Sequence, residues 1–208
     1  MGRTPLHAAA LRGDAEACKA LLEAQADVSK RDWRGWTALH VAASLAHDQA
    51  VVAILAGEGR GVARIRDALG RTPLHVWKYG VGFTEGLRSL AVVSDGGAIG
   101  AGMTPLMVCA ASGAGGEELL GVWKALGMVD MSQQEDGWPR RTLAGLCAVA
   151  GSVSAIETLA LHHPQALSAP NALGRHPINE ISSENMAKLL PNTVRFTTLE
   201  SIGLESLP

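Results

Sequence analysis

The sequence predicts an all-α solenoid, in which helix-turn-helix units are stacked side by side with loops projecting between them. Three observations support this fold class. A short motif recurs along most of the chain, each clear copy carries residues that begin a helix, and an apolar stripe follows each copy at a nearly constant distance. Recurrence at intervals of about 33 residues is typical of stacked repeats, in which each unit contacts only its neighbours.

The recurring motif is clearest at residues 70–75, which read Gly-Arg-Thr-Pro-Leu-His. Close copies occupy residues 2–7, 35–40 and 102–107, and two weaker copies begin near residues 141 and 174. The positions that align on the threonine are Thr4, Thr37, Thr72, Thr104, Thr142 and His176.

Each clear copy of the motif carries the chemistry of a helix start. A threonine side chain can accept a backbone N–H at the N-cap, and a proline in the next position has no N–H to leave unpaired. The motif therefore predicts that each copy begins an inner helix. In the first copy, Ala9 and Ala10 follow at helical spacing and Gly13 is placed to end the helix. Small alanines favour close approach of neighbouring helices.

A second, outer helix is predicted behind each inner helix, with Asp14 as the N-cap of the first. Its buried face is an apolar stripe with helical spacing. In the third and fourth copies the stripe comes one residue later, which indicates a longer turn between the two helices. The stripe residues are Cys18, Leu21 and Leu22; Val51, Ile54 and Leu55; Leu87, Leu90 and Ala91; Leu119, Val122 and Trp123; and Ile156, Leu159 and Ala160.

On these residues the sequence resembles the ankyrin repeat family, whose signature is Gly-x-Thr-Pro-Leu-His-x-Ala-Ala followed by a glycine and a second helix. The resemblance covers about residues 2–190. It implies an ankyrin-repeat array over residues 1–191 and a C-terminal tail over 192–208. The predicted repeats lie near 2–33, 34–68, 69–101, 102–137, 138–172 and 173–191, the last being truncated.

Composition limits the classes of function. Hydrophobic residues make up 47% of the chain and aromatic residues only 4%, which suits many small helix contacts. A net charge of -2 provides no global attraction to nucleic acid or to an anionic membrane. The longest apolar runs are too short to span a bilayer. Three widely spaced cysteines predict no disulfide framework, so we expect an intracellular protein in a reducing compartment, the cytoplasm or an organelle.

The resemblance also implies where a partner protein binds, because ankyrin repeats bind partners through their loop tips and their inner-helix concave face. Carrying those positions onto this sequence predicts partner-binding residues in the second and third repeats, and the tip of the fifth repeat is added because it repeats the pairing of tryptophan with arginine seen at Trp33 and Arg34. They are Trp33, Arg34, Trp36, Ser44, Leu45, Leu69, Arg71, Tyr79, Trp138 and Arg141.

Trp33 and Trp36 are the strongest candidates, because tryptophan and arginine dominate the energetics of protein interfaces and Arg34 lies between them. The alternative is that one of the two indoles packs on a neighbouring loop. Arginines 60, 64 and 66, together with Lys30, Arg31 and Arg71, indicate a basic edge that would favour an acidic partner. The alternative there is a solvated loop.

Several other residues have structural interpretations. His7, His40 and His75 match the family's histidine that hydrogen-bonds to the adjacent loop, and Asp32 and Asp67 match an aspartate that ties one loop to the next. Cys109 and Cys147 occupy small buried positions. We interpret Glu117 and Glu118 as acids that complement a helix dipole.

The third repeat departs from the family. Trp77 and Lys78 replace the alanine pair, and the glycine-rich residues 80–86 follow. Their spacing does not match a dinucleotide-binding loop, so we predict a loosened turn that accommodates Trp77.

Both ends of the predicted array have features that would suit docking onto a partner protein. Leu6, Ala9, Leu21 and Leu22 are expected to need cover from both sides, although no repeat precedes them. Either the sequence belongs to a longer chain or this end docks on a partner. We expect the tail 192–208 to fold back onto the array or to reach the partner.

The sequence contains no catalytic triad, metal cluster or phosphate loop, so it predicts a non-enzymatic protein-protein interaction module without cofactor, metal or nucleic acid. Two alternatives stay open: a structural or accessory subunit docked in a large multiprotein assembly, and the ankyrin region of a longer enzyme or channel.

Overall fold

A computed structural model describes residues 2–58, 61–94, 96–98, 102–127 and 141–180. Within these ranges the protein has ten α-helices, two short 3₁₀ turns at Val62–Arg64 and Pro177–Glu180, and no strand. None of the described helices combines the length and the apolar character needed to cross a bilayer. The helices are α1 (Pro5–Arg12), α2 (Ala15–Glu23), α3 (Ala38–Ser44), α4 (Asp48–Glu58), α5 (Glu85–Val93), α6 (Pro105–Ala111), α7 (Gly116–Ala125), α8 (Leu143–Ala150), α9 (Val153–His162) and α10 (Pro164–Ser168).

Local capping chemistry sets the ends of the first two helices as predicted. The Thr4 hydroxyl accepts a hydrogen bond from the backbone N–H of His7 at 3.4 Å, and Pro5 occupies the first helical position. Gly13 ends α1 with a φ of 70°, a left-handed conformation that favours glycine. Asp14 then caps α2 by accepting the N–H of Ala17 at 2.9 Å. Thr104 and Thr142 cap α6 and α8 in the way that Thr4 caps α1.

The outer helices form one continuous row, in which α2, α4, α5, α7 and α9 contact each other in that order. The predicted apolar stripe lies inside this row, including the copies that come one residue later in the third and fourth repeats. This burial confirms the all-α solenoid and its linear core. Stripe residues that are completely buried are Cys18, Val51, Ile54, Leu87, Leu90, Ala91 and Val122.

The inner helices pack through alanines. Helix α1 contacts α3, and α6 contacts α8. The facing positions are completely buried, and a larger side chain there would push the helices apart. These positions include Ala9, Ala10, Ala42, Ala43 and Ala110.

The third copy of the motif does not begin an α-helix, so the prediction that every copy does is wrong there. Residues 73–76 make only a turn. In a helix the N–H of Lys78 would bond to the carbonyl of Leu74, but it donates instead to the carbonyl of Ala43 at 3.1 Å. The Tyr79 hydroxyl donates to the Leu74 carbonyl at 2.8 Å. Trp77, which replaces an alanine of the family motif, is buried at 3% exposure directly after this turn.

The start of the array is better covered than the sequence indicated. Leu6, Ala9 and Leu22 are buried by their own helices and by the second repeat. The expectation that they need cover from both sides is therefore wrong for these three residues. Leu11, which is 44% exposed, is the large apolar side chain that α1 leaves in contact with solvent.

Candidate functional site

Two buried aspartates shape the first two projecting loops. The Oδ1 atom of Asp32 accepts the backbone N–H groups of Arg34 and Trp36 at 2.9 and 3.0 Å, and the N–H of Asp32 donates to the Trp36 carbonyl at 2.8 Å. Asp67 repeats the arrangement with the N–H groups of Leu69 and Arg71, both at 2.9 Å. Each aspartate therefore holds its turn in one conformation, which agrees with the structural role predicted for Asp32 and Asp67.

The second carboxylate oxygen of each aspartate faces arginine. Oδ2 of Asp67 lies 2.8 Å from an Nη atom and 2.9 Å from the Nε atom of Arg71. Oδ2 of Asp32 lies 3.5 Å from the Nε atom of Arg34 and 3.9 Å from that of Arg3. Burial acts to raise the pKa of the Asp67 carboxyl, but the hydrogen bonds from the Arg71 side chain and from the backbone outweigh it and lower that pKa. Both aspartates thus stay ionised and hold guanidinium groups in place.

Trp36 joins the two loops. Its indole N–H donates to Oδ2 of Asp67 at 3.0 Å, and the guanidinium carbon of Arg34 lies 4.0 Å from the centre of its ring. The guanidinium carbon of Arg71 lies 5.9 Å from the same ring. The indole is half-buried. Of the two interpretations offered for the tryptophans, packing on a neighbouring loop therefore describes Trp36.

Trp33 is placed differently, because 74% of it is exposed. The Arg34 guanidinium carbon lies 5.4 Å from its ring centre. On the next loop Leu69 is 68% exposed. The two tips adjoin, since the N–H of Ala68 donates to the carbonyl of Arg34 at 3.3 Å. We call residues 31–36 and 66–71 together the loop-tip edge.

The loop-tip edge is rich in cations. Arg31 is exposed and makes no hydrogen bond or ion pair with the described residues. Arg66 donates from one Nη atom to the carbonyls of Gly70 and Ala98, at 2.7 and 3.1 Å, and so ties this loop to the following one. The aspartates of the edge are buried, whereas its guanidinium groups reach the surface.

The other predicted site residues are not all brought to this edge. Leu45, at the end of α3, is 39% exposed, and the neighbouring Ser44 hydroxyl donates to the Val41 carbonyl at 2.9 Å. Tyr79 is buried, with its hydroxyl bonded inside the fold, so its placement on an accessible face is corrected. Arg141 is half-buried in the fifth repeat, and Trp138 lies outside the described residues.

Three histidines link successive repeats, as the resemblance implied. The Nδ1 atom of His40 accepts the N–H of Thr37 at 3.2 Å, which leaves Nε2 as the donor to the carbonyl of Arg71 at 3.1 Å. Burial is the main cause that lowers the pKa of His40 to about 4, so the ring is neutral at pH 7. The two related bonds join His7 to the Trp36 carbonyl at 2.9 Å and His75 to the Met103 carbonyl at 3.3 Å.

Glu118 has a role that the helix-dipole interpretation missed. It is 2% exposed, and its two carboxylate oxygens lie 3.2 and 3.0 Å from the backbone nitrogen of Gly80, which donates to them. Gly80 has a φ of 90°, so a residue without a Cβ is needed there. Burial raises the pKa of the Glu118 carboxyl, against the effect of the glycine N–H groups. The glycine-rich loop of the third repeat is thus anchored to helix α7.

Asn171 is a second residue that sequence analysis missed. Its Oδ1 atom accepts the N–H groups of Leu173 and Arg175 at 2.8 and 3.0 Å, as Asp67 does in its own turn. The available signal was the shared spacing, because Asn171 precedes Gly174 as Asp67 precedes Gly70. The hydrogen-bonded turn at Asp67 therefore recurs at Asn171, with a neutral amide in place of the ionised carboxylate.

The three cysteines are buried thiols. Burial raises the pKa of the Cys109 thiol and raises that of Cys147 to about 12, so both stay protonated at pH 7. Cys18 is also buried, and its pKa is raised. In the part of the chain that the structure describes, no group of three His, Cys, Asp or Glu side chains is placed to hold a metal ion.

Comparison with known proteins identifies the repeat. Residues 1–63 match the family model described as ankyrin repeats (3 copies). The matched residues include Asp32, the exposed Trp33, the half-buried Trp36 and helices α1 to α4. No curated protein matches the chain.

Proposed function

We propose that the chain binds a partner protein through the loop-tip edge, because residues 1–63 match ankyrin repeats and such repeats are generally protein-protein interaction modules. Trp33 and Leu69 would supply the apolar contacts, and Arg31, Arg34 and Arg71 the polar ones. Leu45, which is 39% exposed at the end of the neighbouring inner helix, would extend that contact onto the concave face.

The observation that carries this proposal is the exposure of Trp33. A side chain of this size that is 74% exposed leaves a large apolar area in water. Such residues become the energetic centre of an interface when a partner covers them. The turn that carries Trp33 is held by Asp32, so its backbone does not have to be ordered when a partner binds.

We propose further that this function needs neither catalysis nor a cofactor, in keeping with the typically non-catalytic nature of ankyrin repeats. The buried, protonated thiols support a structural role for the cysteines. Because the three cysteines are odd in number and widely spaced in the sequence, we propose a reducing compartment, with the cytoplasm as the first place to look.

The experiment that tests the proposal is recovery of the partner from the native source. The full-length chain is purified with whatever binds it, analysed by size-exclusion chromatography with light scattering, and the co-eluting proteins are identified by mass spectrometry. The same procedure is applied to Trp33→Ala and to Leu161→Ala, a matched control that removes another exposed apolar side chain, 71% exposed on α9. We expect Trp33→Ala alone to lose the partner. Equal recovery with all three chains would refute the proposal.

A second candidate function, a permanent subunit of a multiprotein assembly, is favoured by the other end of the array. Val149, Leu161 and Leu173 are 54%, 71% and 42% exposed in the fifth and sixth repeats. If the chain docks there, Leu161→Ala and not Trp33→Ala will lower recovery, and the complex will elute with fixed stoichiometry.

A further inference from the structure

Charge is segregated over the first two repeats, although the whole chain has a net charge of only -2. The outer side carries acids: Asp14, Glu16 and Glu23 belong to α2 and its cap, and Asp48 begins α4. The cation of this side, Lys19, is paired with Glu16 at 2.8 Å. On the loop-tip edge the signs are reversed, because the arginines reach the surface and the aspartates are buried.

Two arginines of the edge, Arg34 and Arg71, are held in place with donors left for a carboxylate. A guanidinium group has five N–H donors, and Arg71 uses its Nε and one Nη atom on Asp67. Arg34 is fixed between the two indole rings, at 5.4 and 4.0 Å from their centres. Arg31 has no partner among the described residues. Donors that are already oriented bind a planar carboxylate with little further loss of side-chain freedom.

From this arrangement we infer that the occupant of the loop-tip edge is an acidic segment of the partner protein that also carries a large apolar side chain. The apolar side chain covers Trp33 and Leu69, and the carboxylates beside it bind Arg31, Arg34 and Arg71. This inference rests on the proposed function and names the chemistry of its partner.

A protein segment fits the edge better than a nucleic acid does. A nucleic-acid-binding protein neutralises several phosphates, on the order of six to ten in strong cases. Of the four arginines of the edge, Arg66 is bound to two backbone carbonyls, and Arg34 and Arg71 are partly neutralised by Asp32 and Asp67. A long polyanion would also approach the acids of α2 and α4. A short segment with a few carboxylates and one apolar anchor avoids both problems.

The test is an unbiased selection. A library of short random peptides is selected against the full-length chain and, in parallel, against Trp33→Ala. The peptides enriched by the unmodified chain are then synthesised, and their affinities are measured by fluorescence anisotropy at ionic strengths of about 0.1 M and about 1 M, between which the Debye length falls from about 10 Å to about 3 Å.

We expect the enriched peptides to contain aspartate or glutamate beside a large apolar residue, and their binding to weaken as salt rises. Trp33→Ala should weaken it by at least about thirtyfold. Arg31→Glu should weaken it by about three- to tenfold at low salt. The matched control is Arg175→Glu, an exposed arginine in the equivalent turn of the sixth repeat, which should leave the affinity unchanged.

The outcomes separate this inference from the function on which it rests. Enriched peptides that depend on Trp33 but are neutral or basic would overturn the inference and leave the proposed function standing. A single-stranded oligonucleotide that binds the edge more tightly than the enriched peptides would also overturn it. A selection in which no peptide depends on Trp33 would count against the proposed function itself.

Discussion

The indole N–H of Trp36 donates a hydrogen bond of 3.0 Å to Oδ2 of Asp67, 31 residues later in the chain. This bond joins the first projecting loop to the second, and Arg71 lies beside both groups that form it. Trp33 lies three residues before Trp36 and is 74% exposed. The two tryptophans of this loop therefore differ: Trp36 links the two loops of the edge, and Trp33 faces solvent.

Replacing Trp36 by phenylalanine should lower the free energy of unfolding by about 1 kcal/mol. The ring that Arg34 covers is kept, but the hydrogen bond to Asp67 is lost. The cost stays modest because the Asp67 carboxylate retains two backbone N–H groups and Arg71. Urea denaturation measures the change. Trp33→Phe is the control and should stay within about 0.5 kcal/mol of the unmodified chain, and an equal loss in both variants would contradict the account.

The buried His40 makes stability depend on pH. Its pKa is about 4 in the folded protein, against an ordinary value of 6.5. The unfolded chain therefore binds more protons between those two values, and stability falls as pH is lowered from 6.5 towards 4. The contribution is complete above pH 6.5, and its loss amounts to roughly 3 kcal/mol.

The His40 contribution is measured by comparing urea midpoints across this pH range for the unmodified chain and for His40→Gln. The variant should be less stable at pH 7 and should show a flatter dependence between pH 6.5 and 4. His162→Gln is the control, since His162 is exposed on α9. An unchanged slope in His40→Gln would show that other groups cause the dependence.

Glu118 should hold the loop of the third repeat closed. In Glu118→Gln one acceptor oxygen becomes a donor that faces the N–H of Gly80, so we expect a loss of about 1 to 3 kcal/mol and faster amide exchange over residues 77–84. Hydrogen exchange with mass spectrometry measures both the site and the extent of the change. The neighbouring Glu117 is exposed, and Glu117→Gln should leave the exchange of this loop unaltered; equal acceleration in the two variants would be inconsistent with the anchor.

We expect the fold of the third repeat to depend on Trp77, although Trp77 replaces an alanine of the family motif. Trp77→Ala restores the family's residue, but the neighbours are packed around an indole that is 3% exposed. We expect a loss of about 3 to 5 kcal/mol and no gain of helix by circular dichroism. Trp77→Phe should be milder, because the indole N–H has no hydrogen-bond partner among the described residues. A more helical and more stable Trp77→Ala variant would contradict this explanation.

Features that depend on local chemistry could be predicted from the sequence. Thr4 and Asp14 cap helices through residues three positions away, and Gly13 ends one through its own conformation. The stripe of the outer helices depends on helical spacing alone, so it too was predicted, including its displacement by one residue in the third and fourth repeats.

Features whose deciding contacts come from distant parts of the chain could not be predicted in this way. The third motif has the same local signal as the first, but the Ala43 carbonyl and the Tyr79 hydroxyl take the groups that a helix would pair. Glu118 and Gly80 meet across 38 residues. The difference between Trp33 and Trp36 likewise depends on Asp67, one repeat later, and not on either tryptophan's neighbours.

The most direct test of the account compares two properties of two variants. For Trp33→Ala and Trp36→Phe, the affinity for the protein that co-purifies with the chain is measured by titration calorimetry, and the free energy of unfolding by urea denaturation. We predict that Trp33→Ala weakens binding by at least about thirtyfold without loss of stability, and that Trp36→Phe lowers stability but retains binding. Unchanged affinity in Trp33→Ala would contradict the central claim that this indole is the partner-binding residue of the edge.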